Sequence, residues 1–243
     1  MTFWDHLEGL RKCLIRVSIA LVGVTFVLFC FKDFLFDDLI LAPSQDDFFL
    51  YRLLGVEFSL PLVNLEVAAQ FMIHMKVTLV CALILTFPFL IYEIWKFIAP
   101  ALYENEKKAV RYAFSFASFL FYAGIAVGYC IVFPLMLNFF AGYQVSSDVP
   151  NTFSLSSYIS MFTSTVLMFG IVFEFPSVIA ALSAMGVVNR EGMRSFRKYA
   201  FCAVVILAAV ITPSGDPFSM MVVSLPLYLL YELSILLCRK QSV

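Results

Sequence analysis

The chain has 243 residues, 62% of them hydrophobic and 14% charged, with a mean hydropathy of +0.94; soluble domains are about half apolar and a quarter charged, so this composition excludes a globule in water. Sixteen basic residues against seventeen acidic ones leave a net charge of −1, which excludes a generally basic nucleic-acid binder and shifts attention to where each sign sits. What remains is an integral membrane protein, with room for several helices of about 20 residues but for no large extramembrane domain.

The opening MTFWDHLEGLRKCLIR is too polar ahead of its first apolar run, and lacks the small-residue cleavage site, to be a removable signal. The first span is expected over 13–31, with Arg16 snorkelling from its first turn. The loop from 32 to 70 is acidic, with seven carboxylates against Lys32 and Arg52; its Pro43, Pro61 and aromatic residues predict short helices against the membrane surface. A second span is expected over 71–97, kinked at Pro88, with Lys76 and Glu93 near its ends and within snorkelling reach of the interfaces. The third, about 112–140, carries Gly124 and Gly128, a spacing that lets another helix approach closely.

The fourth, 158–188, holds one charge, Glu174, followed by Pro176. An ionisable group inside hydrocarbon is a functional candidate by default. Its two readings are a structural carboxyl that donates to a backbone carbonyl freed by Pro176, and a polar site in a concave membrane face. Two further runs, 199–213 and 217–237, flank the turn TPSGDP. Their uninterrupted apolar cores, of roughly 15 to 17 residues, reach about 25 Å, less than the ~30 Å hydrocarbon layer. They form either two short spans, the favoured reading, or a re-entrant hairpin. Asp216 at the tip is placed to cap the last helix, and Glu232 near its far end to snorkel.

The fold class is thus an all-α polytopic membrane protein: a single integral membrane domain over 1–243 with six transmembrane helices, the last two short. Six spans put both termini on one side, and thirteen of the sixteen basic residues fall on that side. The positive-inside rule makes it the cytoplasmic one. Glu8, Glu104 and Glu106 are carboxylates on this otherwise basic surface. Singly they form weak ion pairs; as a group they form a receptor for a cationic peptide, because arginine forks pair with carboxylates. Enzyme chemistry has little support: His6 and His74 are expected on opposite sides of the membrane, and no nucleophile, zinc or phosphate-loop motif occurs. The six cysteines lie singly in or beside apolar runs and read as small membrane hydrophobes, not as a metal or disulfide set.

Five segments in order, FWDHLEGLRKCLIR at 3–16, APS at 42–44, IYEIWKFIAPALYENEKK at 91–108, FGIVFEFP at 169–176 and ITPSGDPFS at 211–219, resemble the TatC family of the twin-arginine protein translocase. The resemblance runs from residue 3 to about 232. It implies a receptor in the cytoplasmic (inner) membrane of a prokaryote that binds twin-arginine signal peptides of folded proteins and works on the protonmotive force, with no cofactor, metal or nucleic acid. Signal binding carries over to Glu106, Phe97, Leu102 and Tyr103 and to the N-terminal stretch with Glu8 and Arg11; the intramembrane carboxyl is Glu174 and the outer-face residues are Pro43 and Asp216. Implied partners are single-span subunits of the TatA and TatB type, docking near Thr212 and Met220, in a hetero-oligomer of several copies surrounded by membrane lipid.

Two positions depart from the family pattern. Gly9 stands where a glutamate is customary, leaving Glu8 about 100° around the helix, and Met220 replaces a polar residue. A reading from another class is a secondary transporter or channel with Glu174 as midplane ion or proton site. The absence of an internal repeat and of a glycine-rich unwound span counts against it.

Overall fold

The computed structural model describes residues 3–55, 58–101, 104–146, 148, 151–212 and 215–238. Apolar runs too long for a soluble helix become membrane-length helices, because in hydrocarbon each backbone N–H and C=O must be satisfied within its own segment. Among the described residues five stretches are long and apolar enough to cross: Leu7–Phe29, Ala69–Ile98, Val110–Gly142, Leu155–Ala184 and Pro217–Leu237.

The first lies in helix α1 (Phe3–Phe29) and the second is α3 (Ala69–Ile98). The two run antiparallel, with Gly9 beside Phe97 at one end and the Phe29 ring stacked 4.0 Å from His74 at the other. The third stretch joins α4 (Glu104–Val127) through a π-helical turn, Gly128–Val132, to α5 (Phe133–Gly142). The fourth joins α6 (Leu155–Phe173) to α7 (Phe175–Ala184). Pro176, which has no N–H to continue the ladder, sits two residues past the break at Glu174.

Short α8 (Arg190–Ser195) leads into α9 (Arg197–Ile211), and α10 (Pro217–Leu237) follows the turn. With 15 residues, α9 reaches about 22 Å, whereas the 21 residues of α10 reach about 31 Å. Of the two helices expected to be short, α9 is; α10 covers the expected 217–237 and is long enough to cross, and near its end Arg197 of α9 balances the charge of Glu232 at 2.6 Å. That pairing replaces the snorkelling expected of Glu232.

The glycines of the third span do what their spacing predicts. A Cβ on Gly124 would stand 2.4 Å from the Phe169 carbonyl oxygen, and one on Gly128 would stand 3.0 Å from the Phe169 Cβ. Gly170 returns the fit, since its Cβ would meet Ile125 and Phe121 of α4 at under 3 Å. Helices α4 and α6 therefore approach backbone to backbone.

The loop after α1 is more than surface helices. A π-helical turn, Phe34–Ile40, a 3-10 turn, Ala42–Ser44, and α2 (Phe49–Leu54) precede strand β1 (Leu62–Val63), which pairs in parallel with β2 (Phe153–Ser154). Tyr51, Phe48, Phe58 and Leu60 from this loop pack with Phe133, Leu137, Tyr158 and Ile159 of the long helices. Buried phenols tie the backbone turns down: Tyr158 donates to the Ile40 carbonyl at 2.6 Å and Tyr51 to the Pro43 carbonyl at 3.0 Å. Burial pushes the Tyr51 phenol well above its ordinary range, so it stays a donor.

Candidate functional site

The end of the bundle that carries the N-terminus brings together two of the predicted segments. Gly9 of α1 faces the Phe97 ring, its Cβ position 3.7 Å away, so the HLEGLR stretch lies against the last turn of α3. Glu8, the preceding residue and exposed, pairs with Lys12 at 2.8 Å. Arg11 is exposed on the same helix. The chain then turns through Ala99–Ala101, and α4 opens with Glu104, so Glu106 lies in the first turn of a membrane-length helix, a position favourable for negative charge. Leu102, Tyr103 and the side chain of Glu106 lie outside the described residues.

Deeper along the same seam the structure differs from the sequence reading. Arg16 and Glu93 do not snorkel to separate interfaces: Arg16 Nη2 stands 2.6 Å from Glu93 Oε2, and Glu93 is 3% exposed. A guanidinium on one helix and a carboxylate on the facing one neutralise each other, which offsets the cost of keeping either charged in an apolar layer. Lys76, exposed in the second turn of α3, donates to the exposed Ser160 Oγ at 3.1 Å.

Glu174 occupies the joint between α6 and α7 and is half-buried. Its carboxyl is hydrogen-bonded within its own turn, which fits a bonded structural carboxyl, although the partner is Ser177 and not a carbonyl freed by Pro176. Ser177, one turn on, donates to Glu174 Oε2 at 2.5 Å and to its carbonyl oxygen at 2.8 Å. Among the described residues Oε1 is buried without a hydrogen-bond partner. The backbone of Phe121 in α4 is the neighbour nearest to satisfying this carboxyl. An apolar cavity of about 390 Å³ opens between α3, α4, α6 and the 34–40 turn. Glu174 is not in its lining, but Tyr122 and Ile125, on the turn of α4 that follows Phe121, are. Its lining is predominantly apolar and holds no charged side chain, which suits an apolar segment.

At the opposite end, Pro43 is buried and its carbonyl accepts from Tyr51. Asp216 caps α10 as expected, accepting from the Ser219 N–H at 2.8 Å. Thr212 ends α9, 4% exposed, with its hydroxyl donating to the Ala208 carbonyl at 2.9 Å. That donor is already used inside its own helix. Met220 is half-buried in the first turn of α10.

Besides Arg197 for Glu232, sequence reasoning missed Arg16 as the partner of Glu93 and Ser177 as that of Glu174. A signal for the latter two was present. Gly9 and Arg16 are seven apart, Phe97 and Glu93 four apart, and Ser177 follows Glu174 by three, all same-face helical spacings.

A family model described as Sec-independent protein translocase protein (TatC) matches residues 5–226. The Sec-independent protein translocase protein TatC of Blattabacterium sp. subsp. Periplaneta americana is 38% identical, over 97% of this chain and 94% of the relative. The protein of the same name from Desulforapulum autotrophicum is 38% identical over 98% of this chain and 84% of its own length. A crystal structure of the twin arginine translocase receptor TatC in DDM superposes with a TM-score of 0.81 at 32% identity, covering 96% of this chain and 99% of that one.

Proposed function

Because the chain belongs to the TatC family, a family of multi-pass membrane proteins, we propose that it is the receptor and scaffold of a twin-arginine translocase, binding twin-arginine signal peptides and passing folded proteins across the membrane. The observation that carries this is the meeting of the α1 stretch around Glu8 with Phe97, at the doorstep of Glu106. Two signal arginines are neutralised at that face by Glu106 and Glu8, by fork-to-carboxylate pairing. The apolar part of the signal then runs along the bundle toward Glu174, whose unpartnered oxygen accepts a donor from the signal or from a partner helix.

In this reading α9 crosses the membrane despite its length, giving six spans. Both termini are cytoplasmic, in line with thirteen of sixteen basic residues on their side. The membrane is the inner membrane of a prokaryote. Single-span subunits of the TatA and TatB type dock around Thr212 and Met220, and energy comes from the protonmotive force, with no covalent chemistry and no cofactor.

The test is export. In cells lacking their own TatC, this chain with its cognate single-span subunits should export a folded passenger bearing a twin-arginine signal, and Glu106→Ala should lose that export while still accumulating in the membrane. Equal export of twin-arginine and twin-lysine signals contradicts the receptor role. Solute or ion flux through the purified chain alone in liposomes would support the transporter reading instead.

A further inference from the structure

Helix α1 is attached to the molecule along one line. Only 6% of its membrane-crossing stretch is buried, its packing is against α3, and Ile19, Val22 and Phe26 point outward. The contact is held by packing, including the Phe29 ring stacked on His74 at its far end, because in lipid no hydrophobic force drives the helices together. The Arg16 and Glu93 pair is different in kind. Its carboxylate is 4% exposed while the guanidinium is 45% exposed, so the charge is buried on the α3 side and answered from α1 at one height only. A slip of one residue moves Arg16 by about 1.5 Å along and about 100° around the helix, opening the pair in a medium of low dielectric. Fixing register is the best-attested use of a buried ion pair.

The seam has a direction. Gly9 meets Phe97 and, seven residues deeper, Arg16 meets Glu93 four residues before Phe97. Whatever sets the height and rotation of Arg16 also sets where residues 4–12 stand relative to Phe97 and the start of α4. We propose that Arg16 and Glu93 are positioning residues for peptide recognition: their ion pair locks the register of α1 on α3 and so holds the α1 stretch that carries Glu8 in place against Phe97, beside the start of α4. This rests on the receptor reading above for its function, although the register lock stands without it.

Two measurements on the full chain test it. Spin labels at the exposed positions 14 and 92, with Cys30 and Cys202 changed to Ser, report the α1–α3 distance. The unaltered pair should give one narrow distance, Arg16→Gln a broadened or shifted one, and the reversal Arg16→Glu with Glu93→Arg a narrow one again. In parallel, twin-arginine peptide affinity should fall about tenfold in Arg16→Gln and return to within about threefold in the reversal. Arg16→Lys, which keeps the charge, should stay close to the parent in both and serves if Arg16→Gln does not fold. An unchanged distance in Arg16→Gln overturns the lock, and a changed distance with unchanged peptide affinity overturns the positioning role. If the parent chain does not distinguish twin-arginine from twin-lysine peptide, the receptor reading fails, and the distances alone decide the lock.

Discussion

Glu174 and Gly9 are the two residues at which local chemistry speaks most directly to function. The Glu174 carboxyl has one oxygen satisfied by Ser177 and one held without a partner. Ser177→Ala should therefore lower stability in detergent by about 1–2 kcal/mol, read as a lower midpoint of thermal unfolding. Glu174→Ala should accumulate as folded protein yet lose signal-dependent transport, and loss of the folded protein instead would make the carboxyl structural. At Gly9 the surroundings do not demand glycine, because a Cβ would rest in ordinary contact with Phe97 at 3.7 Å. Gly9→Glu should fold, gain about 0.5–1 kcal/mol of helix propensity, and bind twin-arginine peptide more tightly by titration. Weaker binding would mean that the α3-facing position is not where the carboxylate acts. The sequence displayed both carboxyl positions and the glycine, but not the partners of Glu93 and Glu174, since a charge inside an apolar run gives no sign of which neighbouring helix answers it.

Among the elements, the close approach of α4 and α6 was legible because glycines four apart on an apolar helix leave one face bare of side chains, and both meet the backbone or Cβ of the facing helix. Gly124→Ala should cost about 1–3 kcal/mol by overpacking, whereas Gly142→Ala, with open space around it, should be neutral or slightly stabilising. Equal midpoints of thermal unfolding for the two would contradict this packing. The pairing of β1 with β2 was not legible, because two-residue strands carry no alternation and their partners lie 91 residues apart. The extent of α10, 217–237, was legible, but its Glu232 partner, Arg197 of α9, was not.

For the whole molecule, apolar length sufficed to argue a multi-pass helical protein, while the packing of the loop after α1 into the bundle came only with the fold. The span lengths are uneven. At about 22 Å, α9 is shorter than the ~30 Å hydrocarbon layer beside an α10 of about 31 Å, so if α9 crosses, as proposed above, the bilayer next to it must thin to match. Lengthening α9 by four residues should abolish export while leaving peptide binding intact; unaffected export would remove thinning from the mechanism. The central claim is recognition of paired arginines by carboxylates at the end of the bundle that carries the N-terminus, and its most direct measurement is binding of the detergent-solubilised chain to a twin-arginine signal peptide and to the same peptide with two lysines, repeated with Glu106→Ala and Glu8→Ala. Arginine-selective binding that Glu106→Ala abolishes and Glu8→Ala weakens is the predicted result, and selective binding that survives loss of both carboxylates would contradict it.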